Sequence, residues 1–229
     1  CMSLRIGIDV GGTNTDAVLM DGSTVISKIK TPTTVDVTSG ITTALKHVLE
    51  TSGTPTDQIA GVMVGTTHFT NAVVERRRLQ PTAIVRLGLP ATEALPPFVD
   101  WPGDLADVLG RHAYLCHGGY EFDGRIISPL DLNELQQVAD DIKAKGLTAI
   151  AISCVFSPVN TDMEQQAAEF FANAVPDASV TISSEIGRIG LLERENAAIL
   201  NACLRELARQ TVQAFRQSIA QMGISAPLY

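Results

Sequence analysis

The chain has 229 residues, is 45% hydrophobic and 18% charged, and carries a formal charge of −8. That length and hydrophobic content suit one large or two small globular units with their own cores, and exclude an intrinsically disordered chain. The acidic balance, with no long basic stripe, argues against binding to a nucleic-acid backbone.

The first predicted strand is Leu4 to Val10. Leu4, Ile6, Ile8 and Val10 share one face, and Arg5, Gly7 and Asp9 the other. Asp9 therefore faces away from the apolar side at the strand's carboxyl end. Gly11-Gly12 reads as a tight turn into a second strand, Thr15 to Met20. Asp21-Gly22 is a hairpin signal, leading to a third strand, Thr24 to Lys30. Three strands joined by glycine turns predict an antiparallel meander. A helix from Asp36 to Thr51 follows, with Val37, Ile41, Ala44, Leu45, Val48 and Leu49 at helical spacing. Gly61 to Val64 reads as a short buried strand, His68 to Arg77 as a helix, and Thr82 to Leu87 as another strand. The cluster Arg76-Arg77-Arg78 suits the negative end of the helix dipole.

Residues 88–112 are rich in Pro and Gly and read as a long connection. Asp131 to Glu134 and Thr161 to Glu164 have the spacing of capping boxes. The helix opened by the first carries Leu132, Leu135, Val138, Ala139 and Ile142 and is closed by Gly146. Leu147 to Ser153 and Ser179 to Ser183 are strands. The last element is a helix from Leu192 to Met222, roughly 45 Å long at its normal rise. Domains are expected at 3–90, 91–187 and 188–229, the last leading into a further C-terminal part.

Of the four cysteines, Cys1, Cys116, Cys154 and Cys203, none forms a C-x-x-C pair, so neither a disulfide framework nor a zinc ribbon is indicated. His112, Cys116 and His117 lie together but without zinc-site spacing. Asp140-Asp141 reads as a solvated helix face. Glu193 and Arg194 either reach a cleft from the long helix or form a surface ion pair. Cys1 before Met2 reads as a processing or expression remnant. Without a signal peptide or a membrane-length apolar run, a cytoplasmic location is expected.

Asp9-Val10-Gly11-Gly12-Thr13-Asn14-Thr15-Asp16 is the strongest chemical signal. Glycines let the backbone approach a phosphate, and successive N–H groups form an anion nest. Thr13, Asn14 and Thr15 add side-chain donors, and Asp9 offers a hard oxygen for Mg²⁺. The loop joins two strands, so it is neither a Walker A loop nor a dinucleotide fingerprint. The second signal is Gly65-Thr66-Thr67-His68-Phe69-Thr70-Asn71, between a buried strand and a helix start. It suits an anion or a developing oxyanion, with Thr66, Thr67 and Asn71 orienting a polar substrate. Equally, Thr67 there is simply a helix cap.

Taken together, Asp-x-Gly-Gly-Thr-x-Thr-Asp at Asp9 to Asp16 and Gly-Thr-Thr-x-x-Thr-Asn-Ala at Gly65 to Ala72 resemble the N-terminal part of the hydantoinase/oxoprolinase family. Weaker family-like stretches are Gly124 to Pro129 with the following Leu-Asp, Ser183-Ser184-Glu185, Glu193-Arg194-Glu195 and Leu200-Asn201-Ala202. The resemblance implies an α/β, ribonuclease H-like core of the actin/hexokinase type with an additional α/β subdomain. It also implies ATP and Mg²⁺ as cofactors, and hydrolysis of a cyclic amide such as a hydantoin or 5-oxoproline through phosphorylation of the amide oxygen. The Asp9 loop (Gly11, Gly12, Thr13, Asn14, Thr15) would hold phosphates, and Asp9 the metal. Asp16 would orient the nucleophile or the loop. The Gly65 loop (Gly65, Thr66, Thr67, His68, Asn71) would face the substrate, although family members vary where His68 and Phe69 stand. The family's second Asp-Gly-Gly-Thr segment has no match after Asn201. The isolated chain is therefore expected to be inactive, and to work with a C-terminal region or a hydantoinase B-like partner subunit in an oligomer. The alternatives are a small-molecule kinase of the same fold and a non-catalytic nucleotide-sensing subunit. Kinases with a Gly-Gly-Thr loop usually carry a cysteine-rich zinc motif, which this sequence lacks.

Overall fold

The computed structural model describes residues 4–34 and 37–229. They divide into two compact units, Cys1–Glu75 with Leu207–Tyr229, and Arg76–Glu206. The predicted boundary at residue 90 thus falls at Glu75 instead, and the end of the chain returns to the first unit.

The first unit is built on a four-stranded sheet. Strands β1 (Leu4–Val10), β2 (Asn14–Asp21) and β3 (Thr24–Pro32) form the expected meander. Helix α1 (Val37–Ser52) follows, and Asp36, predicted to start it, lies outside the described residues. Strand β4 (Ile59–Thr66) then pairs in parallel with β1, giving the order β3-β2-β1-β4. Alternation in β1 buries Leu4, Ile6, Ile8 and Val10 against Ile41, Ala44, Leu45 and Val48 of α1. Phe215 and Ile219 from the chain's last helix join this core. The tail adds to the free edge of β4: the N–H groups of Val62 and Val64 donate to the carbonyls of Pro227 and Tyr229, each at 2.9 Å. Helix α2 (His68–Glu75) stops before the three arginines. Arg76 takes a φ of 56°, ending the helix, and its Nε donates to Asp104 at 2.9 Å. No basic residue lies in the last helical turn, so the expected cation–dipole pairing is corrected.

The second unit is an all-parallel sheet of order β6-β5-β7-β8. Its strands are β5 (Thr82–Leu89), β6 (His112–His117), β7 (Ala149–Cys154) and β8 (Ser179–Ile182). The sequence placed β5 with the meander; its near-continuous burial instead fits a central parallel strand covered on both faces. Helix α3 (Gly103–Val108) falls inside the predicted long connection. Helices α4 (Leu132–Ala144) and α5 (Asp162–Ala174) pack Leu135, Val138, Ile142, Met163, Ala167 and Phe171 onto the sheet.

Both predicted capping boxes are half right or less. Asp131 accepts the Asn133 N–H at 2.8 Å, but Glu134 does not reach back to it. Glu134 instead clamps His117, accepting its backbone N–H at 2.8 Å and lying 2.6 Å from its Nδ1. Thr161 makes no side-chain cap, and Asn160 accepts the Asp162 N–H at 2.9 Å. Glu164 is fully buried and accepts from the Ser183 hydroxyl at 2.5 Å and the Ser184 N–H at 2.9 Å. In both cases a long-range donor, half-buried at His117 and buried at Ser183, outcompetes the exposed local one.

Helix α6 (Leu191–Gln221) belongs to the second unit through Glu206 and to the first from Leu207. Arg194 is neither a cleft residue nor a surface ion pair. It is 1% exposed, donates from Nε to the Ser183 hydroxyl at 2.8 Å, and donates from Nη2 to the Cys154 carbonyl at 2.6 Å.

Cys116, Cys154 and Cys203 are buried free thiols, each pushed up to about 12 chiefly by burial. The thiolate is the reactive form, so roughly one thiol in 10⁴ is competent at pH 8. Iodoacetamide at pH 8 is expected to leave all three unmodified in the native protein and to label all three in urea, as read by peptide mass spectrometry. Rapid native labelling of any of them would contradict this packing.

Candidate functional site

The two glycine motifs meet at the carboxyl ends of β1 and β4. In register, Lys30, Asp16, Asp9 and Gly65 form one row across the sheet. This row lies on the face opposite the α1 core and lines an open concavity of about 880 Å³, with Gly7, Val18, Lys28 and Met63 beside it. Asp9 and Asp16 are directly opposed, a like-charge pairing that costs stability unless a cation intervenes. Lys30 lies 3.5 Å from Asp16, with both side chains substantially exposed, so this bridge is weak. Among the described residues no donor meets the Asp9 carboxylate.

The loop after β1 is shaped by crowding rather than by unusual dihedrals, since neither Gly11 nor Gly12 has a positive φ. A Cβ on Gly11 would stand 3.0 Å from the Asn14 carbonyl, and one on Gly12 would stand 2.9 Å from Asn71 Nδ2. Gly12 is thus where the two motifs touch. A Cβ on Gly65 would come within 3.5 Å of Asp9 Oδ1. Gly11 donates to the Asn14 carbonyl at 2.9 Å. Among the described residues the N–H groups of Gly12 and Thr13 have no acceptor, as an anion nest requires.

Thr13 is exposed and Asn14 half-buried, on the open side. Thr15 is 1% exposed and lies behind the loop, its hydroxyl 3.1 Å from that of Thr33. Thr33 is a residue the sequence reading missed. It donates to the Gly11 carbonyl from its hydroxyl at 2.9 Å and to the Thr13 carbonyl from its N–H at 2.8 Å. Its position just after a Pro-terminated strand was the available signal.

In the second motif, Thr66 rather than Thr67 serves the start of α2. Its hydroxyl accepts the His68 N–H at 3.1 Å and donates to the Val10 carbonyl at 3.1 Å. The Thr67 N–H also reaches Val10 O at 3.3 Å, so both residues tie α2 to the end of β1. The exposed Thr67 hydroxyl accepts from Asn71 Nδ2 at 3.4 Å. Asn71 therefore sits between Gly12 and Thr67.

The model of the hydantoinase/oxoprolinase N-terminal region matches residues 5–175, which include both motifs. The chain belongs to that family. An uncharacterised protein of Methanocaldococcus jannaschii is 28% identical over 100% of this chain and 35% of its own length. The caprolactamase alpha subunit of Pseudomonas jessenii is 28% identical over 97% of this chain and 34% of its own. The crystal structure of ATP-dependent caprolactamase from Pseudomonas jessenii superimposes with a TM-score of 0.82 at 24% identity, covering 98% of this chain and 35% of that one. The chain thus spans about a third of the length of these curated relatives. The fold is α/β, with a meander-based sheet in the first unit and an additional parallel α/β subdomain in the second, and it is shared with the caprolactamase structure. Among the described residues no group of three or more His, Cys, Asp or Glu side chains is arranged to hold a metal, and no helix is long and apolar enough to cross a membrane.

Proposed function

We propose that this chain carries the first phosphate-binding loop and one substrate-side loop of an ATP-dependent amidohydrolase that opens a cyclic amide of the hydantoin, 5-oxoproline or lactam kind. The observation that carries the reading is the meeting of the two motifs: Asp9 in register with Gly65, and Gly12 against Asn71. The Gly12 and Thr13 N–H groups would donate to phosphate oxygens. Asp9 fits Mg²⁺, because its carboxylate has no donor partner among the described residues and faces a second carboxylate that a cation would relieve. With no all-protein cage present, nucleotide and water would complete the ion's shell, and the ion would neutralise charge during phosphoryl transfer. The Thr67 and Asn71 side chains would orient the amide. Asp16 would sit at the edge of the same cleft, beside Lys30.

Resonance makes an amide carbon a poor electrophile. In this reading the amide oxygen attacks the γ-phosphorus, the bond to ADP breaks, and water then adds to the activated carbon. The C–N bond opens as the nitrogen takes a proton, and a second water frees phosphate. The relative named as an alpha subunit, and the third of its length that this chain spans, support a partner subunit and a further region in the complete enzyme.

The test measures phosphate release by the complete enzyme with its partner, offered hydantoin, 5-oxoproline, a lactam or sugars. ATP turnover should depend on an amide, and residues 1–229 alone should show none. Sugar phosphorylation would replace this reading with a kinase. Nucleotide binding without any turnover would make it a sensing subunit.

A further inference from the structure

Thr33 holds the only side-chain hydroxyl bonded to a backbone carbonyl of the Gly11–Thr13 turn among the described residues. A phosphate loop must show N–H groups to its anion and keep its carbonyls turned away, because a carbonyl lone pair repels phosphate oxygens. A turn containing two glycines has little intrinsic preference between these states, since a peptide flip there meets few steric barriers. We infer that Thr33 is the positioning residue that sets this choice, holding the carbonyl of Gly11 on the inner side so that the N–H of Gly12, in the same peptide, stays open to phosphate.

The geometry gives each group one task. The Thr33 hydroxyl has a single proton, and it goes to the Gly11 carbonyl at 2.9 Å. The contact of 3.1 Å between the hydroxyls of Thr15 and Thr33 must then be a donation from Thr15. Thr15 is almost fully buried and Thr33 half-buried, so this hydroxyl pair is partly sheltered from water, which strengthens its bonds. The Thr33 N–H takes the Thr13 carbonyl at 2.8 Å. Pro32, which has no N–H, ends the β2–β3 pairing opposite Asn14, so β3 delivers Thr33 beneath the turn. The Gly11 N–H is itself bonded to the Asn14 carbonyl, leaving Gly12 and Thr13 as the unengaged donors.

This inference rests on the Asp9 loop being the phosphate site, and the experiment separates the two. Thr33→Val keeps the shape and the backbone N–H and removes the hydroxyl; Thr33→Ser keeps the hydroxyl. Both are compared with wild type and Asp9→Asn in the complete enzyme, by steady-state kinetics against ATP and against the amide, with thermal melts. Thr33→Val should raise KM for ATP about tenfold, the worth of one net hydrogen bond, while leaving KM for the amide unchanged. Thr33→Ser should restore KM for ATP to near wild type. If Asp9→Asn loses turnover and Thr33→Val keeps the wild-type KM for ATP, Thr33 is not a positioning residue. If Thr33→Val lowers only the melting temperature and kcat together, it is structural. Wild-type kinetics in Asp9→Asn as well would overturn the phosphate-loop reading itself.

Discussion

Asp9→Asn is expected to lower ATP-dependent turnover by at least about a hundredfold while leaving the melting temperature within a few degrees of wild type, given the magnitudes usual for charge loss at a phosphoryl-transfer site. The substitution keeps the shape of the side chain and removes the charge that a magnesium ion would need. A purely structural Asp9 would have its carboxylate bound to N–H groups of the glycine turn, and the mutant would then lose stability first. The structure supplies no such bonds: among the described residues the Asp9 carboxylate meets no donor, and the Gly11 N–H is committed to the Asn14 carbonyl. Removing one of two opposed carboxylates should if anything relieve repulsion with Asp16. The measurement is phosphate release against Mg²⁺ concentration, with thermal melts beside it. Wild-type turnover at saturating Mg²⁺ would remove Asp9 from the metal role.

Glu195→Ala is expected to destabilise the second unit by about 3–5 kcal/mol, the range for removing one partner of a buried ion pair. Arg86 and Glu195 are 0% and 1% exposed at the side chain. They form a two-pronged pair, Arg86 Nε to Oε2 at 2.7 Å and Nη2 to Oε1 at 2.5 Å. The Ser153 hydroxyl adds a bond to Oε2 at 2.6 Å, and Arg86 Nη1 donates to the Leu95 carbonyl. Truncating Glu195 strands a guanidinium in the sheet interior, with one carbonyl left to receive it. Replacing both partners together, as Arg86→Met with Glu195→Leu, removes the stranded charge and should recover much of the loss. Trp101, the sole tryptophan, reports on this unit, because its indole N–H donates to Asn196, next to Glu195, at 2.8 Å. Urea unfolding followed by its fluorescence gives the free energies. A Glu195→Ala protein within about 1 kcal/mol of wild type would mean that water reaches the guanidinium and that the pair is not sealed.

The amino-acid order alone determined the parts whose physics is local. Period-two alternation located β1 and the exposed placement of Asp9, and the glycine turns located β2 and β3. Helical spacing located α1, α4 and the long α6. The two motifs were legible because glycine crowding, hydroxyl donors and a strand-end carboxylate all lie within a few residues of one another. What tertiary structure alone decided involves partners far apart in sequence. Strand β5 looked like the next member of the meander, and only its pairing with Ala149–Cys154 and His112–His117 placed it in the second sheet. Arg86 lies in the middle of an apolar strand, and its partner lies 109 residues later. Glu134 and Glu164 carried the spacing of helix caps, but each is drawn to donors that folding brings beside it, the half-buried His117 in one case and Ser183 with Ser184 in the other. Thr33 had no motif at all and acquired its place from the register of β2 with β3. The common reason is that an exposed local hydrogen bond is worth little against water, whereas a buried donor left without an acceptor costs its full desolvation, so the long-range partner wins.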